Sequence, residues 1–145
     1  MNDYVVPLTV SVLVIALCLY LHSRALRMGA SRISEIENSI RYPMLVVMII
    51  IFMTHLIEIM LFAIAFWGMA LAGTGNLVGA HTSTAADYFY FSIASYTTLG
   101  IGDITPEGSM RLVAGIEALT GLLLIAWSAS FTYLTMERLW TPRKN

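Results

Sequence analysis

The sequence predicts an all-α membrane protein, with three helices that cross the bilayer and one short helix that enters it and turns back. Three observations predict this. Charged residues make up 12% of the 145 residues and apolar ones 58%, against about 25% charged in a soluble domain. Three apolar runs, at 4–22, 42–73 and 110–134, have the roughly 20 residues that a helix needs to span a hydrocarbon core. A fourth apolar and aromatic run, "AADYFYFSIASYTT" at 85–98, is too short to cross and ends in glycine-rich chain.

The first run starts just after Asn2 and Asp3. No basic segment precedes it, so residues 1–22 read as a retained N-terminal transmembrane helix and not a cleaved signal. Pro7, and Pro43 in the second run, fall in opening turns, where a helix tolerates proline. Between these runs, residues 23–41 form a basic cytoplasmic loop carrying Arg24, Arg27, Arg32 and Arg41. This segment is either a short helix lying on the inner membrane surface, arginines toward the headgroups, or a solvated connector. Arg138 and the tail 139–145, with Arg143 and Lys144, follow the third run, and only Arg111 stands on the opposite side. Basic residues gather in cytoplasmic loops. A multi-pass protein of the plasma (bacterial inner) membrane is therefore expected, with its N-terminus outside and its C-terminus in the cytoplasm. Trp140, beside these arginines, reads as an interfacial anchor. A net charge of −1 without any basic block argues against a nucleic-acid partner, and the lone Cys18 cannot form an internal disulfide.

The chain from 74 to 109 starts as an ordinary Gly/Thr/Ser connector. Ser83 and Thr84 then offer helix caps, and Asp87 falls in the first turn of the following helix, where a negative charge suits the helix dipole. Non-helical backbone at membrane depth is tolerated only if it is buried in protein or lines a water-filled cavity, and that condition bears on "TTLGIGD" at 97–103. Glycine reaches backbone angles closed to other residues, so alternating it with bulky residues lets successive carbonyls turn to one side. The carbonyls of Thr98, Leu99, Gly100, Ile101 and Gly102, with the Thr98 hydroxyl, then form a ladder of acceptors while Leu99 and Ile101 wedge into surrounding protein. One ladder is an unpaired liability. Four around an axis replace the water shell of a dehydrated cation.

With its flanks, "TTLGIGDITP" at 97–106 resembles the selectivity filter of tetrameric potassium channels. Tyr90 and Phe91 stand where such channels place aromatics on the pore helix, Asp103 follows the second filter glycine, and "RLVAGIEALTG" resembles the start of the inner helix, with Gly121 near the usual hinge. The similarity covers roughly residues 85–138. The order of elements over 42–138 looks most like that of small bacterial ion-channel-domain proteins carrying one extra helix ahead of a two-helix pore. The resemblance implies a pore domain at 42–138, with outer helix 42–73, pore helix 85–98, filter 98–102 and inner helix 109–138. It further implies a homotetramer in the lipid bilayer that passes potassium ions passively, the ions held at Thr98, Leu99, Gly100 and Ile101, with no cofactor besides the permeant ion. Two departures matter. Ile101 stands where the family usually has Tyr, so the hydroxyl that ties the filter to the pore helix is missing and a weakly selective cation pore is the alternative. Ala94 stands where a carboxylate or valine is common, which leaves Asp103 to pair with Tyr90 or Tyr96, of its own or a neighbouring subunit, and Thr97 to help support the filter. No four-arginine voltage-sensor helix and no soluble ligand-binding domain are visible.

Ionisable residues within apolar runs are costly and face protein or water. His55 and Glu58 lie three apart on one helical face and read as a hydrogen-bonded strut, a proton sensor or part of a cation site. Glu117, at about the depth of the filter, is expected to accept hydrogen bonds from Ser92, Ser95 or Tyr96, or to join His55 and Glu58, and so to support the filter or take part in gating. Gly121 is either a hinge or a close-packing site. From it, helical spacing puts Leu122, Ile125, Ala129 and Tyr133 on one face, which either lines the inner pore or packs on lipid and the outer helix. Two other classes remain. An intramembrane aspartyl protease needs a second mid-membrane aspartate besides Asp103, which the chain lacks. A non-conducting subunit of channel-like fold is the other.

Overall fold

The computed structural model describes residues 5–39, 41–79 and 84–141, with the side chains of all but 33–39 among them. Its elements are α1 (Val5–Ser39), α2 (Pro43–Leu71), β1 (Leu77–Val78), α3 (Ala85–Tyr96), β2 (Thr105–Pro106) and α4 (Met110–Trp140). Three stretches, Val5–Arg32, Pro43–Leu71 and Met110–Trp140, are long and apolar enough to cross a membrane. The chain is a multi-pass membrane protein. Ser83 and the tail residues Arg143 and Lys144 lie outside the described residues.

The expected division into a helix over 1–22 and a basic loop over 23–41 is corrected, because α1 runs unbroken for 35 residues. No proline interrupts it after Pro7 in the first turn, and its buried side continues past the arginines through His22, Leu26 and Gly29. Those positions are spaced four and three apart, the repeat of a single helical face. Leu26 packs with Val47 and Ile51 of α2 and Phe131 and Leu139 of α4, so tertiary burial holds the extension helical. Phe131 rests on Gly29, its ring carbon 3.5 Å from where a Cβ would stand.

Pro43 sits in the first turn of α2, where its missing N–H costs nothing. The helix ends with Gly73 N–H on Ala70 O and Thr74 N–H on Met69 O, the paired closing bonds of a Schellman motif. Thr84 caps α3 as expected. Its backbone N–H donates to Asp87 Oδ2 at 2.7 Å while its hydroxyl accepts from Asp87 N–H, so two orphan donors are satisfied reciprocally. The helix stops at Tyr96, two residues before the expected 98, because Thr98 turns to φ +58°. Strands β1 and β2 pair antiparallel, Leu77 opposite Pro106 and Val78 opposite Thr105. This clamps the chain before α3 to the chain after the glycine segment.

Helix α3 lies between α2 and α4, with Phe62 and Phe66 of α2, Tyr88, Phe91 and Tyr96 of α3, and Met110, Val113 and Leu124 of α4 in one buried cluster. Phe66 and Phe91 meet edge to face, ring centres 5.1 Å apart, a favoured aromatic geometry. Helix α1 packs on the far side, against α2 and α4.

Candidate functional site

Immediately after α3, Thr98, Gly100 and Gly102 have φ of +58°, +57° and +86°, and no other residue from 97 to 103 has positive φ. A left-handed residue thus alternates with an ordinary one, the condition for carbonyls to turn toward a common side. Thr98 bears the strain of this conformation in a non-glycine residue. The turn is held from below: Thr97 Oγ1 donates to Ile93 O at 2.7 Å, Thr98 N–H to Ser95 O and Gly100 N–H to Ala94 O. Tyr90 Oη donates to Asp103 Oδ2 at 2.9 Å, and Asp103 Oδ1 accepts the Ile104 N–H. Of the two tyrosines expected for Asp103, Tyr90 takes the role.

Leu99 and Ile101, expected to wedge into protein, are 66% and 54% exposed in the single chain. Beside them a cavity of about 390 Å³ opens between α3, the segment 98–106 and the small residues Ala114 and Ala118 of α4. Further along α4, Leu122, Ile125, Ala129 and Tyr133 all lie on exposed surface. Gly121 is buried at a close approach. A Cβ there would stand 2.1 Å from the Tyr96 carbonyl oxygen, so the inner helix touches the end of α3 at a residue without a side chain.

Behind the segment sits a polar hub that joins all four helices. Glu58 of α2 is fully buried. It accepts from His22 Nδ1 of α1 at 2.9 Å, from His55 Nδ1 at 3.0 Å and from the Tyr96 hydroxyl of α3. The far nitrogens of both histidines converge on Ser128 Oγ of α4, His55 Nε2 at 3.0 Å and His22 Nε2 at 3.3 Å. His22, Glu58, His55 and Ser128 therefore form a closed ring, with Tyr96 Oη also 2.9 Å from His55 Nδ1. Burying a carboxylate away from water costs several kcal/mol unless it is paired and hydrogen-bonded, and three donors on two oxygens meet that demand. The indole of Trp127 closes over His22, ring centres 5.2 Å apart. His55 and Glu58 were expected to pair. His22 and Ser128 were not anticipated, because nothing local marks them as partners of residues 36 and 73 positions away.

Glu117 does not join the hub. Ser92 Oγ lies 2.5 Å from Glu117 Oε1 and 2.8 Å from the Ile59 carbonyl, and a hydroxyl has one proton to give. The two acceptors therefore compete for that one proton. Glu117 Oε2 is buried with no partner among the described residues. Of the other two candidate donors, Ser95 bonds to the Ala114 carbonyl and Tyr96 to Glu58.

Two long apolar helices flanking a short helix, which runs straight into a strand of alternating handedness, define the pore unit of an ion channel of the potassium-channel fold. Comparison with known proteins agrees: the family model described as "Ion channel" matches residues 44–138, and the chain belongs to the ion channel family. It is similar to the inward rectifier potassium channel Kirbac3.1 of Paramagnetospirillum magnetotacticum, 29% identical over 90 residues that cover 61% of this chain and 30% of that protein. The chain thus spans less than a third of that relative's length. No solved structure matches it.

Proposed function

We propose that four copies of the chain assemble around one axis and conduct potassium passively, the carbonyls of Thr98–Gly102 replacing the ion's water. The observation that carries this reading is the alternation of left-handed backbone at Thr98, Gly100 and Gly102 directly after α3, in a segment that stays exposed within one chain. Exposed backbone acceptors at membrane depth need either water or a neighbour's protein around them, and a fourfold assembly supplies both. The similarity to a protein named as a potassium channel supports potassium as the permeant ion. Ile101 favours a second reading, a weakly selective cation pore, since no hydroxyl ties the strand to α3 at that position.

In this reading Thr97, Tyr90, Asp103, Tyr96 and Glu117 hold the filter, and Leu122, Ile125, Ala129 and Tyr133 line the inner cavity, with Gly121 setting how closely α4 follows α3. The orientation is supported by the Leu26–Val47–Leu139 cluster, which brings the second half of α1, the start of α2 and the end of α4 to one level. Arg27, Arg41 and Arg138 gather there and Arg111 lies at the opposite end, so the arginine-rich end is cytoplasmic and the N-terminus outside.

The test is flux of potassium against sodium from proteoliposomes carrying the purified chain, repeated with Ile101→Tyr. Potassium flux well above sodium, kept or sharpened by the tyrosine, is expected. Equal fluxes favour the weakly selective pore, and no flux of either ion leaves a non-conducting subunit.

A further inference from the structure

We propose that His22, His55 and Glu58 form a buried binding site for one divalent transition-metal ion of the zinc class per chain, fastening α1 to the pore unit. The site is distinct from the permeation path and does not depend on what the pore conducts. Its three residues each offer one ligand atom, and these atoms all lie within 4.8 Å of one another. Zinc binds imidazole nitrogen and carboxylate oxygen at about 2.0–2.2 Å, which sets tetrahedral ligand atoms roughly 3.3 Å apart. His22 Nδ1 and His55 Nδ1 already stand 2.9 and 3.0 Å from the two Glu58 oxygens, so an ion between them takes the place of the protons they share.

The outer partners favour this as much as the ligands do. A histidine that binds metal through one nitrogen donates its other N–H to a neighbour, which fixes the ring. Here Ser128 Oγ stands within reach of both Nε2 atoms, leaving both Nδ1 atoms aimed at Glu58. The Tyr96 hydroxyl rests on Glu58 Oε2 and is placed as an outer partner or a fourth donor. Two nitrogens and one carboxylate suit zinc, cobalt, nickel or copper. They are too few oxygens for calcium or magnesium, which take six or more oxygen ligands counting water. Entry is by way of His55, whose side chain keeps 16% of its exposure while Glu58 has none.

The experiment uses the full chain without a histidine tag, purified in detergent and stripped by a chelator. It is titrated with zinc chloride by calorimetry and with cobalt chloride by visible absorption. One zinc per chain and an intense cobalt spectrum of low coordination number are expected, with no heat from magnesium chloride. His22→Gln, which keeps a donor for Glu58 but removes a ligand, should weaken zinc binding by more than about 100-fold, beyond the roughly 10–100-fold loss that Ser128→Ala, keeping all three ligands, should cause. A parent chain that binds no zinc, a cobalt spectrum like that of the hydrated ion, or a folded His22→Gln chain that binds as tightly as the parent overturns the site. Should His22→Gln fail to fold, Ser128→Ala decides by the same comparison. None of these readouts uses ion flux, so their failure is distinguishable from failure of the pore reading.

Discussion

The segment 97–103 and the hub behind it lie on either side of Tyr96, yet they are built on opposite principles. The segment does its work with backbone, is exposed, and in one chain leaves Leu99 and Ile101 without cover. The hub works with side chains, is buried, and closes its hydrogen bonds within one chain using a residue from every helix. A region complete in a single copy serves as the foundation. One that is incomplete is where copies meet. Substitutions should therefore damage conduction without unfolding the chain on the exposed side, and unfold it on the buried side.

The largest effect is expected at Gly102, whose φ of +86° is strained for a residue with a Cβ, so the exposed segment relaxes to another conformation and its carbonyls move with it. Gly102→Ala should reduce potassium flux to that of empty vesicles while the melting temperature of the detergent-solubilised chain hardly moves. Next is Gly121→Ala. Its new methyl has no room beside the Tyr96 carbonyl, and overpacking of this kind costs about 1–3 kcal/mol, so thermal unfolding should begin several degrees lower. A comparable loss is expected for Tyr96→Phe, which removes one of three donors to a buried carboxylate and costs about 1–3 kcal/mol, again read as a lowered melting temperature. Tyr90→Phe is the matched control. It breaks an exposed hydrogen bond to Asp103 worth less than about 1.5 kcal/mol, so stability should stay near the parent and only the potassium-to-sodium flux ratio should fall. If Tyr90→Phe destabilises more than Tyr96→Phe, the contrast between the two regions is wrong.

These regions also differed in how plainly the sequence displayed them. The 97–103 segment was legible because its chemistry is local: alternating glycines constrain the backbone whatever surrounds them, and Thr84 with Asp87 three residues on announces the helix that feeds it. For Asp103 the sequence narrowed the partner to Tyr90 or Tyr96, and the structure selects Tyr90. The hub was legible only by half. His55 and Glu58 share one turn of helix, whereas His22 closes the ring from a different helix and Ser128 looks like any small polar residue in a membrane span. Helix α1 itself was cut short because four arginines suggest solvent, while the burial that keeps it helical is carried by Leu26 and Gly29, on the face those arginines leave free. For Glu117 the sequence offered Ser92, Ser95, Tyr96 or the His55–Glu58 pair, and only the packing of α3 against α4 selects Ser92. The loop's return through β1 and β2 left no trace, being held by a two-residue pairing rather than by any pattern of side chains.

Helix α1 has a mechanical corollary. At about 1.5 Å per residue, its 35 residues make a rod of about 52 Å, against a hydrocarbon layer of about 30 Å. Some 20 Å of it therefore overhangs the lipid as a stiff arm whose fulcrum is the contact of His22 with Glu58. Only residues 40–42 separate its far end from Pro43 of α2, so whatever displaces the arm also pulls on the start of α2.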